Sequence, residues 1–421
     1  MKMDPIRYDV TLTGESAPIG TYLRRFRAQS RGAPAVLLLH GGNTSGDTFL
    51  VPEGGLAGFL VERGFDVWIL EWRSSPHIVR PLLAPGSAPL GGSVAAEVRL
   101  FTLDRVVAEE LPGALDIVRR EIVDAPLSIF GHCFGSAAVS IAIARGYLEV
   151  YGISRVVLST LGLFVEVPWN GWIKAEDFIM ERVLHDDPAC RGIDPDSLAS
   201  WPAPMREAYE TWPRPWLPAD GPGDVGLLRR LSFMFGQPYS IDRLHPSLRT
   251  PRIAELFGPM HIGLFLHASQ LVRRGYAAEF DAPDVIDRSR PDRAPGNAHV
   301  LSDLDPTYFR SKRVTLLAAA ENQLWHRDSV DLMYEWLRSE GPESQPSPYA
   351  KRVFPGYNLQ ELLWGVNARA EVFPAIELGL RPAAGARREE VVGPPGRPGI
   401  PTSSENDGAP LRDPEGPGAR L

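Results

Sequence analysis

The chain of 421 residues is poor in cysteine and in clustered positive charge. Cys133 and Cys190 are its only cysteines, too few for a disulfide framework and ordinary for a reducing compartment. Lys and Arg number 44 against 52 Asp and Glu, giving a formal charge of −8 that nucleic-acid phosphates would repel. No segment has the roughly eighteen consecutive apolar residues of a membrane span, and no secretory signal is evident at the start. We therefore expect a cytoplasmic protein that binds no nucleic acid.

Glycine and proline, at 40 residues each, are abundant but unevenly distributed. After Pro382 the sequence consists largely of Gly, Pro, Ala, Arg and Glu. Such a segment cannot bury enough apolar surface to offset the entropy lost on ordering. Residues 383–421 are therefore predicted to form a disordered tail, to which we assign no role.

Before this tail, short apolar runs alternate with amphipathic stretches. Strands are predicted at 10–12, 21–24, 35–39, 66–70, 127–130, 156–158, 314–317 and 352–354. A helix is predicted over 56–63, and the first two strands are expected to pair at an edge of the sheet. Continuous apolar strands separated by helices indicate an α/β fold, with a mostly parallel sheet covered by helices on both faces.

The alternation breaks once, between the strand near 156–164 and the strand near 313–318. Roughly 150 residues lie there, where a crossover needs only about thirty. This interval contains five of the ten tryptophans (Trp169, Trp172, Trp201, Trp212 and Trp216) and a predicted helix over 257–274. We predict a core of residues 1–164 and 311–382, with residues 165–310 as a cap over the C-terminal edge of the sheet. The aromatic cap forms a small core of its own or also walls a pocket for an apolar ligand.

The segment Gly131-His132-Cys133-Phe134-Gly135 follows an apolar strand and precedes a run of small residues. A strand-to-helix turn this sharp strains its middle residue, and glycine neighbours leave room for it. The middle side chain then stands at the sheet edge beside a helix N-terminus, which favours a thiolate. Cys133 is therefore predicted at a nucleophile elbow, and the alternative is a buried cysteine that only packs.

A second glycine turn, His40-Gly41-Gly42-Asn43, follows the predicted strand 35–39. Flexible glycines at this point can aim a backbone N–H at the neighbouring strand end. The N–H of Phe134 would supply a second donor, so the two turns together predict an oxyanion hole. The alternative is a tight glycine turn with no role in chemistry.

These motifs resemble the α/β-hydrolase fold. More narrowly, residues 8–380 resemble the hydrolase-like region associated with cholesterol-oxidase-type flavin oxidoreductases of the glucose–methanol–choline family. Besides the two glycine turns, the resemblance includes the segments Glu71–Ser75, Leu231–Gly236, Glu255–His261, Ala320–Asn322, Phe354–Tyr357 and Glu371–Pro374.

The resemblance implies roles for individual residues. It places Cys133 at the nucleophile, and Gly41, Gly42 and Phe134 in the oxyanion loop. Asn322 stands at the position of the triad acid, which leaves Glu321 as the nearest carboxylate. It also implies a flavin oxidoreductase as a partner, whereas the apolar substrate is indicated by the aromatic cap. No Gly-x-Gly-x-x-Gly opens this chain, so we infer no FAD and no other cofactor.

One position departs from the family pattern, since Leu359 replaces the histidine that serves as general base. A leucine cannot take a proton from a thiol, and no histidine follows His326. His326 is the best substitute base, with a solvent-exposed loop histidine as the alternative. His132 adjoins the nucleophile but is expected to point away from the thiol. With Asn322, it remains a candidate for binding substrate.

Three functions remain open. The first is ester or thioester hydrolysis, or acyl transfer, by Cys133 with a relocated base. The second is a degenerate hydrolase that binds an apolar ligand or a partner protein, and the third is a non-hydrolytic biosynthetic enzyme. We predict no metal site, because His245, His261 and His267 lack the spacing of metal ligands.

Overall fold

The computed structural model describes residues 4–177, 179–211, 225–248, 252–280, 306–342 and 346–382. The predicted tail, residues 383–421, lies outside the described residues, as do Trp212 and Trp216. Within these ranges, no helix combines the length and the apolar character that crossing a membrane requires.

A mostly parallel sheet forms the centre of the molecule. The strands are β1 (Ile6–Asp9), β2 (Tyr22–Phe26), β3 (Ala35–Leu39), β4 (Asp66–Glu71), β5 (Leu127–His132), β6 (Ile153–Ser159), β7 (Gly192–Ile193), β8 (Met260–His261), β9 (Arg313–Ala319) and β10 (Tyr349–Phe354). Eight of them form the large sheet in the order β1-β2-β4-β3-β5-β6-β9-β10. The pairs β1–β2 and β2–β4 are antiparallel, and the other neighbours are parallel. The predicted α/β fold is thus confirmed.

Helices cover both faces of the sheet, and further helices lie in the insertion. They are α1 (Gly55–Glu62), α2 (Pro76–Leu82), α3 (Val94–Leu100), α4 (Leu103–Arg105), α5 (Leu111–Ile122), α6 (Phe134–Ala144), α7 (Trp169–Glu176), α8 (Ile179–Asp186), α9 (Ala203–Thr211), α10 (Val225–Met234), α11 (Arg252–Glu255), α12 (Ile262–Arg274), α13 (Thr307–Arg310), α14 (Asp328–Glu340), α15 (Glu361–Trp364), α16 (Ala368–Glu371) and α17 (Phe373–Leu380). A π-helical turn over Val106–Glu110 joins α4 to α5.

The side chains of β3 alternate between two hydrophobic clusters. Leu37 and Leu39 pack in the cluster that includes α5 and α6, whereas Val36 and Leu38 pack in the cluster that includes α1 and α17. All four are fully buried. Burial on both faces explains why this strand is a continuous apolar run in the sequence. Each buried side chain contributes roughly 1.5–3 kcal/mol relative to exposure.

The edge strand differs from its prediction, because β1 covers Ile6–Asp9 instead of residues 10–12. Most β1 side chains are exposed, so the strand has no hydrophobic pattern that a reader of the sequence could detect. Val10 and Leu12 are buried, but in the connection that leads to β2. Their apolar character therefore reflects core packing and does not mark a strand.

Helices α7 to α12 and the small β7–β8 sheet lie within the predicted cap, residues 165–310. The predicted helix over 257–274 begins later, at Ile262, because the His261 side chain caps it by accepting the Gly263 N–H at 3.1 Å. Phe257 instead forms a β-bridge with Thr44. The helix ends at Gly275, whose φ of 76° favours glycine. Because α12 packs against both α3 and α7, it connects the insertion to the core.

Candidate active site

The turn between β5 and α6 holds Cys133 in a strained conformation, with φ 55° and ψ −124°. Gly131 and Gly135, on either side of this turn, leave no room for a side chain. A Cβ on Gly131 would lie 2.6 Å from the Ser136 Cα, and one on Gly135 would collide with the Leu39 carbonyl. The sharp turn predicted from the sequence is therefore present, and it places the Cys133 side chain at the C-terminal edge of the sheet.

Three N–H groups converge on the Cys133 sulfur. The Trp325 indole Nε1 donates to Sγ at 3.1 Å, and the backbone N–H groups of Phe134 and Gly42 also hydrogen-bond the sulfur. Gly41 packs directly against the cysteine, since a Cβ on this glycine would lie 3.0 Å from the Cys133 Cβ. The structure thus brings together Cys133 and the three residues predicted for the oxyanion loop.

The ionisation of Cys133 differs from the expectation. The helix N-terminus was expected to favour a thiolate, but burial raises the thiol pKa above its usual value. The hydrogen bonds from Trp325, Phe134 and Gly42 oppose this shift without cancelling it. Since Cys133 is only 5% exposed, the cost of desolvating a thiolate outweighs the three donors, and the thiol is neutral at pH 7.

The motif Glu71–Ser75 supports the oxyanion loop from behind. Trp72 Nε1 donates to the His40 carbonyl at 3.2 Å, and Ser74 Oγ donates to the Gly41 carbonyl at 3.3 Å. These bonds fix the His40 and Gly41 carbonyls of the loop, and the next N–H along the chain, that of Gly42, hydrogen-bonds the sulfur. The motif Glu71–Ser75 therefore supports the loop through hydrogen bonds, and this role requires no contact with a ligand.

The insertion also contacts the glycine loop, at the residues that follow Gly42. Asn43 and Gly258 are joined by two hydrogen bonds, one from the Asn43 side chain to the Gly258 carbonyl and one from the Gly258 N–H to the Asn43 carbonyl. The β-bridge between Thr44 and Phe257 continues this contact. A Cβ on Gly42 would lie 2.5 Å from the Phe134 ring, so glycine is needed there. The donor geometry consequently depends on the docking of the insertion.

Asn322, at the position of the triad acid, shapes a loop. Its Oδ1 accepts the backbone N–H groups of Leu324 at 2.9 Å and of Trp325 at 3.2 Å. This buried turn directs the Trp325 indole toward the sulfur. Glu321, the nearest carboxylate in sequence, is half-exposed and forms an ion pair with Arg243 at 2.8 Å. Glu321 is not among the residues that line the cavity above Cys133.

Neither His326 nor His132 lines the cavity above Cys133, and for His132 this agrees with the expectation that it points away from the thiol. His326 is 47% exposed, and its Nδ1 lies 3.1 Å from Asp328 Oδ2. His132 is fully buried beside Ser159, with Nδ1 to Oγ at 3.1 Å, and burial lowers its pKa to about 3. Leu359, at the position of the base, lines the cavity. Among the residues that the structure describes, the cavity lining contains no histidine.

A cavity of about 410 Å³ opens above Cys133, between the sheet edge and the insertion. Its volume suits a drug-sized molecule. Its walls are mainly apolar, including Met180, Val183, Met205, Leu231, Phe233, Met234, Phe235, Met260, Phe265, Val272, Leu324, Trp325 and Leu359. The aromatic insertion therefore walls this cavity as well as packing on itself.

A few polar groups interrupt these walls. Asn43 and Gln360 are buried at the cavity, and Asn43 Oδ1 has no hydrogen-bond partner within the described ranges. Lys174, Arg182 and Asp186 reach the cavity from α7 and α8. Sequence reasoning missed Trp325, Gln360 and Lys174, because no local motif marks a residue that a distant segment brings to a site.

The three histidines considered as metal ligands have other partners. His267 Nδ1 accepts the Leu103 N–H at 3.1 Å, and His261 caps α12. His245 Nδ1 lies 2.9 Å from Ser247 Oγ. Each of these three histidines thus has a hydrogen-bonding role within the fold.

Asp47, Glu71 and His77 form a cluster whose ligand-type atoms lie within 4.8 Å of one another. The Arg24 guanidinium hydrogen-bonds both carboxylates. Burial alone would raise the Asp47 pKa, but the hydrogen bond from His77 and the charge of Arg24 hold that pKa well below its usual value. Because Arg24 already supplies the positive charge, we interpret this cluster as structural.

Comparison with known proteins agrees with the architecture. The chain is similar to a lipase in an open form, with 12% identity and a TM-score of 0.52, over 89% of this chain and 98% of the lipase. It is also similar to a thermostable carboxyl esterase from Bacillus coagulans, with 12% identity and a TM-score of 0.50, over 90% and 97% of the two chains. No protein-family model and no curated protein matches. Identities this low show the fold, and the chain has the α/β-hydrolase fold.

Proposed function

We propose that the protein transfers acyl groups from thioesters or activated esters of apolar acids, with Cys133 as the nucleophile. Hydrolysis is the outcome when water accepts the acyl group. The convergence of three N–H donors on a strained cysteine, at the base of an apolar cavity, carries this proposal. Such donors stabilise negative charge wherever it develops during acyl transfer.

The proposed reaction has two steps. The Cys133 thiol loses its proton to solvent in the cavity, and the thiolate attacks the substrate carbonyl carbon to form a C–S bond. The carbonyl oxygen becomes an oxyanion that the Gly42 and Phe134 N–H groups stabilise. The leaving group departs with the electron pair of its bond to carbon and takes a proton from solvent. Water or another nucleophile then cleaves the acyl-enzyme and restores the thiol.

Leu359 favours thioesters over alkyl esters as substrates. An alkoxide is a strong base and leaves slowly unless a general acid protonates it, and Leu359 cannot do so. A thiolate leaves without such help, because its conjugate thiol has a pKa of about 8.5. Transfer of the acyl group from one thiol to another also costs little energy, since the C–S bond formed resembles the C–S bond broken. An aryl ester with a weakly basic leaving group satisfies the same condition.

The test is acylation of Cys133 in the intact protein. Wild type and the Cys133→Ala and Cys190→Ala variants are incubated with p-nitrophenyl octanoate and with the octanoyl thioester of N-acetylcysteamine. Intact-mass spectrometry then detects the acyl adduct, and peptide mapping locates it. Cys190 is the matched control, because it is also a buried cysteine but does not line the cavity. We expect the adduct in wild type and Cys190→Ala, and its loss in Cys133→Ala. Turnover that persists unchanged in Cys133→Ala would refute the nucleophile assignment.

A second candidate is a ligand-binding protein without turnover. The raised thiol pKa and a lining without histidine, among the described residues, favour it. In that case octanoate and related apolar ligands would raise the melting temperature of wild type and Cys133→Ala alike. Neither substrate would leave an adduct. The mass spectra and the melting curves therefore separate the two candidates.

On the sequence resemblance we also propose that the protein acts beside a flavin oxidoreductase, and on its low cysteine content that it does so in the cytoplasm. Affinity purification of the full chain from its native cells, followed by absorbance near 450 nm, tests this partnership. A stoichiometric flavoprotein in the eluate would support it. Recovery of the chain alone, at several salt concentrations, would count against it.

A further inference from the structure

Asn43 places a polar side chain directly beside one of the oxyanion donors. It follows Gly42, whose N–H hydrogen-bonds the Cys133 sulfur. Asn43 is only 2% exposed, and it lines the cavity. Because the Cα atoms of adjacent residues are about 3.8 Å apart, a group held by Asn43 would lie close to the reacting carbonyl.

One half of the Asn43 amide is paired and the other half is not. Nδ2 donates to the Gly258 carbonyl, and this bond fixes the orientation of the amide. Oδ1 has no hydrogen-bond partner within the described ranges. A buried acceptor without a donor costs free energy, and nearly all such atoms in folded proteins are paired. The fold therefore explains the amide nitrogen and leaves the oxygen available to a ligand.

The other buried asparagines show the usual arrangement. Among the described residues, Asn43, Asn322 and Asn358 are the buried ones. Asn322 Oδ1 accepts the Leu324 N–H at 2.9 Å, and Asn358 Oδ1 accepts the Leu359 N–H at 2.7 Å. Neither Asn322 nor Asn358 lines the cavity. The asparagine with an unpaired oxygen is thus the one that lies at the cavity.

A hydrogen-bond donor has to reach this oxygen on a bound ligand. Asn43 Oδ1 is closed to solvent, so water does not compete for it. Met260 lines the cavity beside the glycine loop, and a Cβ on Gly42 would lie 3.3 Å from its Sδ. An unbranched thioether changes rotamer easily. A ligand can therefore gain space next to the loop by displacing the Met260 side chain.

We propose that Asn43 Oδ1 accepts a hydrogen bond from a hydroxyl group on the acyl part of the substrate. Since Asn43 adjoins Gly42, this hydroxyl would be on the first or second carbon beyond the reacting carbonyl. The substrate class is then thioesters of 2- or 3-hydroxy acids whose remaining chain is apolar. The assignment rests on the proposed function for the position of the carbonyl, whereas recognition of the hydroxyl requires no reaction.

The experiment measures binding in the full chain carrying Cys133→Ala, in which no acyl transfer to Cys133 occurs. The ligands are N-acetylcysteamine thioesters of octanoic acid, of 2- and 3-hydroxyoctanoic acids as separate enantiomers, and of the corresponding methoxy acids. A methoxy group has the oxygen but no O–H to donate. Isothermal calorimetry gives the affinity of each ligand.

Four variants are compared in this background. Asn43→Gly and Asn43→Ala both remove the acceptor, and glycine suits the φ of 60° at this position. Asn358→Ala is the matched control, because Asn358 is a buried asparagine outside the cavity. Gln360→Met tests the other buried amide that lines the cavity. Circular dichroism and melting temperature establish that each variant folds.

We expect the parent to bind one hydroxyoctanoyl thioester at least about ten-fold more tightly than the octanoyl and methoxy thioesters. In Asn43→Gly and Asn43→Ala this preference should fall to about two-fold or less, because the acceptor is gone. Asn358→Ala and Gln360→Met should keep the preference of the parent. A purely structural role of Asn43 would weaken all ligands alike, and an unchanged preference would overturn the proposal. A preference that depends on Gln360 instead would overturn the assignment to Asn43.

The same ligands distinguish this proposal from the proposed function. If wild type forms no acyl adduct but the hydroxyl preference depends on Asn43, the cavity binds hydroxyacyl compounds and the nucleophile assignment is wrong. If wild type is acylated equally by the octanoyl and hydroxyoctanoyl thioesters, and binding shows no hydroxyl preference, Cys133 remains the nucleophile and the role of Asn43 is wrong. Each result therefore identifies which of the two proposals has failed.

Discussion

Replacing Trp325 by Phe should raise the pKa of Cys133 and slow its reaction with electrophiles. The substitution removes the indole N–H that donates to Sγ at 3.1 Å but keeps an aromatic ring against Phe134, with which Trp325 makes an edge contact. The bond favours the thiolate, because a donor stabilises a charged acceptor more than a neutral one. Its loss therefore adds to the upward shift that burial already causes.

The magnitude follows from the strength of hydrogen bonds to charged groups. A donor to a buried anion contributes roughly 1.5–3 kcal/mol. At about 1.36 kcal/mol per pKa unit, the expected rise in the Cys133 pKa is roughly 1–2 units. Below the pKa, the thiolate fraction should then fall about 10- to 100-fold.

The assay is the rate of alkylation of Cys133 by iodoacetamide as a function of pH, in a Cys190→Ala background. We expect the Trp325→Phe profile to move toward higher pH and to approach the parent rate at the alkaline end. Trp336→Phe is the control, since Trp336 is a buried tryptophan on α14 that does not line the cavity. An unchanged profile, or one moved toward lower pH, would refute the reasoning that Trp325 stabilises the thiolate.

Two further predictions concern the missing base and the response to acid. Leu359→His should increase the rate of Cys133 acylation at pH 7 at least ten-fold in stopped-flow assays. The reason is that Leu359 lines the cavity at the position of the base. A rate no higher than that of wild type would show that a histidine at this position cannot reach the thiol. Burial lowers the folded-state pKa of His132 to about 3, below its unfolded value of about 6.5, so His132 contributes stability above pH 6.5 that is lost as the pH falls toward 3. His132→Asn should therefore show a smaller decrease in melting temperature between pH 7 and pH 4 than wild type, and an equal decrease would mean that other groups dominate acid unfolding.

The elements that sequence patterns predicted well are those whose determinants are local. Strand β3 coincides with its prediction, because every one of its residues is buried and the apolar run is continuous. The turn at Cys133 was predictable because Gly131 and Gly135 must lack side chains wherever a strand enters a helix this sharply. The edge strand β1 was misplaced because its side chains face solvent and have no pattern to read.

The sequence by itself determined the α/β architecture, the strained cysteine and the glycine loop beside it. Tertiary structure decided the electrostatics of the site. Trp325 hydrogen-bonds Cys133 from 192 positions away, and Lys174 reaches the cavity from an insertion with no motif. The thiol pKa rises because desolvation is a sum over all surrounding atoms, whatever their distance along the chain. Short-range patterns specify backbone shape, whereas the charge state of a buried group depends on the whole fold around it.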